Sequence, residues 1–472
     1  METIMDPIMD RLDWVDIDKW IMGEAIIGSQ LDRHLYEICE RIGSRWAGTS
    51  GDLHAAEYIR EQFESFGLVN PHLEGFDLDT WDYSHSSSRI VEDGLELTVQ
   101  PMLNCPSIDL TAPLIDVGFG MPDLIEQLRG RLPGSIALVS EPFEPFSTQK
   151  PLPDRLTELA NAGCAAAIAV DGRDGGRIEY LKATDKRRHE RAGQVMPHPL
   201  PCVQTHKEDG IRLRRAASEG KSINIKIVSR SFVTPAFNAV AEIPGSTMPS
   251  EHAVLSAHID TYPDSPGAND DGSGLVTTLE VARLFALMAK ELGVNPGIGV
   301  RFCAYSGEEQ NHQGSASYVQ KHYGPETSPR FCLNLDELSA GSMKGMVVQM
   351  PHTQQVVQNA LDDLNEGLQC YTMPLLEHMN DGFSFTRSAI PVILLWRWRF
   401  VGRNSASDFR AEAWDTPDKL PIGELKEYVA FIARTLLRLS HVPPSNWPAN
   451  PETAPAIEDR LESELGTVAR TM

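Results

Sequence analysis

Seven cysteines occur in 472 residues, and no two of them form a C-x-x-C pair. Cys39, Cys105, Cys164, Cys202, Cys303, Cys332 and Cys370 are odd in number and widely spread, which argues against a disulfide framework and a cysteine zinc cage and for a reducing compartment. Positive charge is also short: Lys+Arg 42 against Asp+Glu 66 gives 42 − 66 = −24 at pH 7. Nucleic acid and anionic membrane are therefore not expected as partners, because phosphate binding needs a positive face. No apolar run approaches the ~20 residues of a membrane span. The start METIMDPIMDRLDWVDIDKW has acids where a signal peptide needs a basic patch and an apolar run, so the expected location is the cytoplasm. Internal repeats are lacking. What remains is an ordinary globular composition, 41% hydrophobic and 23% charged, with length for a large core and two or three domains.

After an N-terminal extension (1–29), Leu31, Leu35, Ile38 and Ile42, then Ala55, Ile59, Phe63 and Phe66, keep the spacing of two amphipathic helices separated by GSRWAGTSGD. Gly67 suits the C-cap of the second. Between 101 and 236 the texture changes to short apolar strands (APLIDVG, GSIALVS, AAAIAV, SINIKIV) with one helical pattern, LPDRLTELANAG, and reads as a compact β-rich insert. From Asn238 onward, strands such as AVLSAH, GVRFCAY, FCLNLDE and IPVILLW alternate with long helices, the signature of an α/β fold whose mostly parallel sheet is sandwiched by helices. The tail 441–472 reads as a Pro-rich linker with a short surface helix.

Ligands in such folds gather at the carboxyl ends of strands. There lie His258 and Asp260 after AVLSA, Glu308 and Glu309 after VRFCAYSG, Asp336 after FCLNL, and a glycine-flanked turn, GANDDGSG, that can aim Asp270 at the same place. Each has a plain structural reading: Asn269, Asp270 and Asp271 as turn and N-cap residues, Glu308 and Glu309 as a helix start, His258 as a satisfied buried histidine. Taken together, one imidazole and several carboxylates converging from separate strand ends need a cation to be tolerable.

The ordered motifs HID, GANDDGSG, SGEEQNHQGS, LNLDE, NDGFSFTRSAIPVILLW and WDTPDKL resemble the cocatalytic metallopeptidases that include bacterial leucyl-type aminopeptidases, glutamate carboxypeptidase II and glutaminyl cyclases. The resemblance spans about 30–100 and 237–440, a zinc-exopeptidase-like catalytic domain, with the insert 101–236 similar to a protease-associated domain. It implies two divalent metal ions, Zn²⁺ and/or Mn²⁺. His258, Asp270 and Asp336 would hold one, and Asp270, Glu309 and Asp415 the other. Glu308 would be the general base and Asp260 the residue that orients His258.

Three positions depart from the family pattern. Asp415 stands where a histidine is usual, which gives the second metal oxygen ligands only and favours a harder ion; an unfilled second site, or His312 or His378 in its place, remain open. Trp414 replaces a tyrosine that donates to the developing oxyanion, and an indole N–H has different reach. Gly382 follows Asp381 where a histidine is common, so the pocket rim differs. Just upstream, WRWRFVGRNSASDFR sets Arg397, Arg399, Arg403 and Arg410 against one acid, Asp408, and arginine forks suit a substrate carboxylate. A second basic run, KATDKRRHER (182–191), reads as a solvated loop of the insert.

The resulting expectation is a metal-dependent hydrolase of amide bonds, an exopeptidase or small-amide hydrolase acting on small peptides or amides; a homo-oligomer is compatible with it. The alternatives are a glutaminyl-cyclase-like acyltransferase and a metal-poor scaffold on the same fold.

Overall fold

Four parallel strands, Val392–Leu395, Cys332–Asn334, Met248–His258 and Ile298–Tyr305, lie side by side in that order at the centre of the first unit. Antiparallel neighbours flank them: Met346–Val348 beside Val392–Leu395, and the second half of Ser222–Ile243 beside Ile298–Tyr305. The central strands are buried almost throughout, so both faces must be apolar. One face is covered by helices Ser50–Phe66, Gly274–Glu291 and Ile422–His441, whose Phe63, Phe285 and Phe431 join Phe302 of the sheet in the largest core cluster. The other is covered around Tyr318 and Phe385. This is the expected mostly parallel sheet between helices. The computed structural model describes residues 14–141, 150–180, 200–324, 327–338, 345–366, 370–395 and 406–468. Arg397, Arg399, Arg403 and the run 182–191 lie outside them.

The first unit takes the chain up to Leu78 and Pro235–Thr467, and the second Asp79–Thr234. The boundary thus falls at 79 rather than 101, because Val69–Ile90 is one continuous strand that leaves the first unit midway. In the second unit the expected strands Ile108–Asp116, Ile136–Ser140 and Ala166–Val170 form a parallel set with an unexpected one, Cys202–Thr205, and the expected SINIKIV opens strand Ser222–Ile243, antiparallel to Ile108–Asp116. Among the described residues it contains as well helices Pro122–Leu128, Leu152–Asn161 and Lys207–Ser218, so it is an α/β layer and not merely β-rich. Only the middle one carries a strong apolar stripe in sequence.

Both termini are more firmly packed than expected. Trp14–Ile26 buries Ile17, Ile21 and Ala25 at i, i+4 and i+8, and its Asp18 meets Arg434 and Arg438 of helix Ile422–His441. Helix Ala454–Val468 buries Ile457 and Leu461 against Met350, Leu376 and Phe383. Ala268–Glu291 is long and apolar enough to cross a membrane, and 83% of its most apolar window is buried in the fold. Gly67 ends its helix at φ 81, as a left-handed C-cap requires.

Candidate active site

The parallel registers place Tyr305 beside His258 and Asn334 beside Ser256, so three strands end level with one another. His258 is the last residue of its strand and is buried. Its Nδ1 lies 2.9 Å from the backbone oxygen of Asp260, which can only accept. Nδ1 therefore donates, and Nε2 faces the acids, 3.2 Å from Asp270 Oδ1 and 4.0 Å from Asp336 Oδ1. The Asp260 carboxylate ties in the next strand end: Oδ1 accepts the Glu308 amide at 3.0 Å and Oδ2 the Glu309 amide at 3.1 Å. One residue thus fixes the imidazole through its carbonyl and the two glutamates through its carboxylate.

The GANDDGSG turn is delivered by two glycines and held by three side chains. Gly267 sits at φ 55, and a Cβ there would fall 2.2 Å from Thr261 Cγ2; one on Gly274 would fall 2.5 Å from the Asp271 carboxylate. The Asp270–Asp271 peptide is cis. Asp271 accepts amides from Gly274 and Glu337 on Oδ1 and from His258 on Oδ2, so the plain capping role holds for it. Arg45, fully buried, gives five hydrogen bonds to the carbonyls of Ile38, Gly43, Ile259, Pro266 and Gly267. Asp415 closes the turn from the other side: Oδ1 accepts the Asn269 amide at 2.8 Å and Oδ2 the Asp270 amide at 3.1 Å.

Two groups of side chains could each hold a cation. Ligand atoms of His258, Asp270 and Glu309 all lie within 4.8 Å of one another, and so do those of His258, Asp271 and Asp336. Asp415 belongs to neither group. Its neighbour Trp414 is 54% exposed. Of the four arginines, Arg410 is described, with Nη1 3.8 Å from Glu337 Oε2. His312 comes close to the base position: its Nε2 is 3.0 Å from Glu308 Oε1. His378 instead faces the Phe383 ring, 6.2 Å between centroids. Gly382 has no room for a side chain, since a Cβ would meet Asn380 Oδ1 and Val392 Cγ1 at 2.7 Å.

So many buried acids perturb one another. Burial works against a charged His258, yet Asp260, Asp270, Asp271 and Glu308 lift it well above the ordinary histidine range. Burial also drives Asp271 well up, with Asp336 reinforcing it, and pushes Asp415 to about 8 in spite of the two amides it accepts. Asp52, which accepts from Ser306 Oγ and the Gly48 amide, is likewise raised to about 8 by burial and then by Asp260. Asp270 moves the other way: burial raises it, but its hydrogen bond with His258 prevails. Arg45 spends its donors on carbonyls, Arg410 lies near Glu337 and acts on Asp270, and the centre itself is one imidazole among several buried carboxylates. That donor set fits a divalent ion.

Arg45 and Asp52 went unnoticed in the sequence, where GSRWAGTSGD reads only as a helix break. Five carbonyl partners leave no sequence pattern.

A strand-end centre of this kind on a helix-sandwiched parallel sheet defines a metallohydrolase class. Residues 238–430 match the family model described as peptidase family M28. Carboxypeptidase Q of Bos taurus is 26% identical over 328 residues, covering 65% of this chain and 65% of that protein, just under two thirds of its length. The fold is shared with a peptidase M28 precursor from Shewanella amazonensis, at TM-score 0.73 and 18% identity over 93% of this chain and 99% of that one. It is shared too with a zinc aminopeptidase from Bacillus subtilis, at TM-score 0.68 and 19% identity over 89% and 98%.

Proposed function

We propose that the protein is a metal-dependent exopeptidase that hydrolyses the terminal amide bond of short peptides in the cytoplasm. The observation that carries this reading is the convergence of His258, Asp270, Glu309 and Asp336 at three adjacent strand ends. His258, Asp270 and Asp336 would hold one divalent ion, and Asp270 with Glu309 a second; Zn²⁺ and Mn²⁺ both suit one nitrogen among carboxylates. Such ions, when bound, polarise the scissile carbonyl and lower the pKa of a water molecule. Glu308 takes the proton of the attacking water and passes it to the leaving amine. Asp260 keeps His258 in the tautomer that leaves Nε2 free, and its grip on the Glu308 and Glu309 amides sets both carboxylates relative to that nitrogen. Trp414 offers an indole N–H to the developing oxyanion, and Arg410 a guanidinium to a substrate carboxylate. The second unit serves as a protease-associated-like insert.

Asp415 takes a different part from the one its position in the motif implies. Both its oxygens are engaged by the Asn269 and Asp270 amides, so it holds the backbone that carries Asp270 in place. Metal content by plasma mass spectrometry, on the wild type and on Asp415→His, tests this together with the activity. Two ions per chain in the wild type, with a lower melting temperature and unchanged metal content in the variant, support an anchor. Metal preference moving to zinc in the variant makes Asp415 a ligand. A panel of dipeptides blocked at either end reports which terminus is read. Ammonia release from N-terminal glutamine without new carboxyl termini would replace hydrolysis by ring closure.

A further inference from the structure

Four residues beyond Glu308 the backbone does something that side chains resist: Asn311 and His312 both adopt positive φ, 73 and 56. Two consecutive non-glycine residues in the left-handed region need a reason. The His312 amide donates to the Glu308 carbonyl at 3.0 Å, closing the turn, and helix Gln313–His322 starts immediately afterwards. The turn folds His312 back over the residue at its start. Its imidazole is 2% exposed, with Nε2 3.0 Å from Glu308 Oε1, a close approach without well-formed hydrogen-bond geometry, and Nε2 has no hydrogen-bond partner. Phe383 stands edge-on to the ring, 6.1 Å between centroids. Asp381, 1% exposed, makes no well-formed hydrogen bond through either carboxylate oxygen and lies close enough for Glu308 and His312 to act on its charge. A buried imidazole aimed at one oxygen of a carboxylate, with a second buried carboxyl nearby, is more than packing requires.

We propose that His312 is a positioning residue for Glu308: its buried imidazole, with Nε2 3.0 Å from Oε1, restrains that oxygen and leaves Oε2 as the oxygen that handles the substrate proton. The strained turn is the device that delivers the imidazole, and Phe383 limits its rotation. A carboxylate fixed by one edge loses less rotational freedom when it meets water, which is the kind of positioning that lowers a barrier. The inference rests on Glu308 acting as the base of the proposed peptidase.

The test compares His312→Leu, which keeps an apolar filler without a donor, with His312→Gln, whose amide nitrogen can reach a similar point. Expected for the leucine variant is a kcat lower by about 10- to 100-fold with KM and metal content unchanged. The glutamine variant recovers most of kcat. Wild-type kcat in the leucine variant overturns the proposal, as does a glutamine variant no better than leucine at equal melting temperature. Loss of bound metal in the leucine variant overturns it too, by making His312 a ligand. Independently of turnover, the ¹⁵N resonances of the His312 ring shift on Glu308→Gln if the contact exists in solution. Unmoved resonances overturn the proposal, and a wild type without turnover but with the shift leaves the contact standing and removes the peptidase reading alone.

Discussion

In the second unit, Glu141 follows the strand Ile136–Ser140 and pairs with Arg155, while Asp171 follows Ala166–Val170 and pairs with Arg173. In the first unit, His258, Glu308, Glu309 and Asp336 follow strands of the same parallel kind, and the acids gather around the one imidazole. Both units therefore bring carboxylates to strand ends, but one neutralises them locally and the other concentrates them around a single imidazole. The first unit lifts Asp271 and holds Asp415 and Asp52 near 8, each mainly through burial, and in the second unit burial raises Glu141 as well, in spite of Arg155. A parallel sheet supplies the meeting place; the presence or absence of matching cations decides whether that place can take a metal.

The sharpest test of this contrast removes the base. Glu308→Gln keeps shape and burial while taking away the proton acceptor, so turnover should fall by about 10²- to 10⁴-fold with metal content and melting temperature retained; an active variant would move the base elsewhere.

Asp52 gives a test in stability. Its carboxyl is raised to about 8 in the fold and is near 4 when unfolded. The folded state then keeps a proton that the unfolded chain releases, so this group costs stability progressively as pH rises from about 4 to about 8. Asp52→Asn should flatten the fall in melting temperature across that window in metal-free protein, and an unchanged slope would mean that Asp52 ionises normally.

A smaller effect is expected at Arg410. Arg410→Ala should raise KM about tenfold, roughly 1.4 kcal/mol, for substrates with a free carboxylate and leave their carboxamides unaffected. Equal effects on both would reduce Arg410 to the partner of Glu337.

Smallest is the change in the second unit. Arg173→Ala removes the guanidinium but leaves Asp171 the amides of residues 173 and 179, and should cost about 0.5–1 kcal/mol with turnover and metal content untouched. New metal bound to the variant would extend the contrast by turning a neutralised strand end into a cation site.

Much of the catalytic unit was legible because its signals are local. Apolar runs ending in HID, SGEE and NLDE mark strand ends, and the glycines of GANDDGSG mark a turn that few side chains could follow. Alternation of strands and helices set the class of fold. The second unit was less legible: helix Lys207–Ser218, KEDGIRLRRAAS, is polar over most of its surface, and tertiary packing of Leu213, Ala216 and Ala217 decides it. The N-terminal helix escaped for a related reason, since Ile17, Ile21 and Ala25 make a narrow stripe whose partner lies some four hundred residues away in sequence.

By itself, then, the sequence determined which residue types stand at which strand ends, because strand periodicity and turn chemistry are written in neighbouring residues. Only the tertiary structure decided what those residues face. Arg45 meets five carbonyls from two distant segments, Asp415 turns both oxygens to the amides of a loop about 145 positions earlier, and His312 folds back on Glu308 through a left-handed turn. Hydrogen bonds of that kind depend on where separate stretches of chain are brought together in space, and such proximity has no counterpart in the order of residues along the chain.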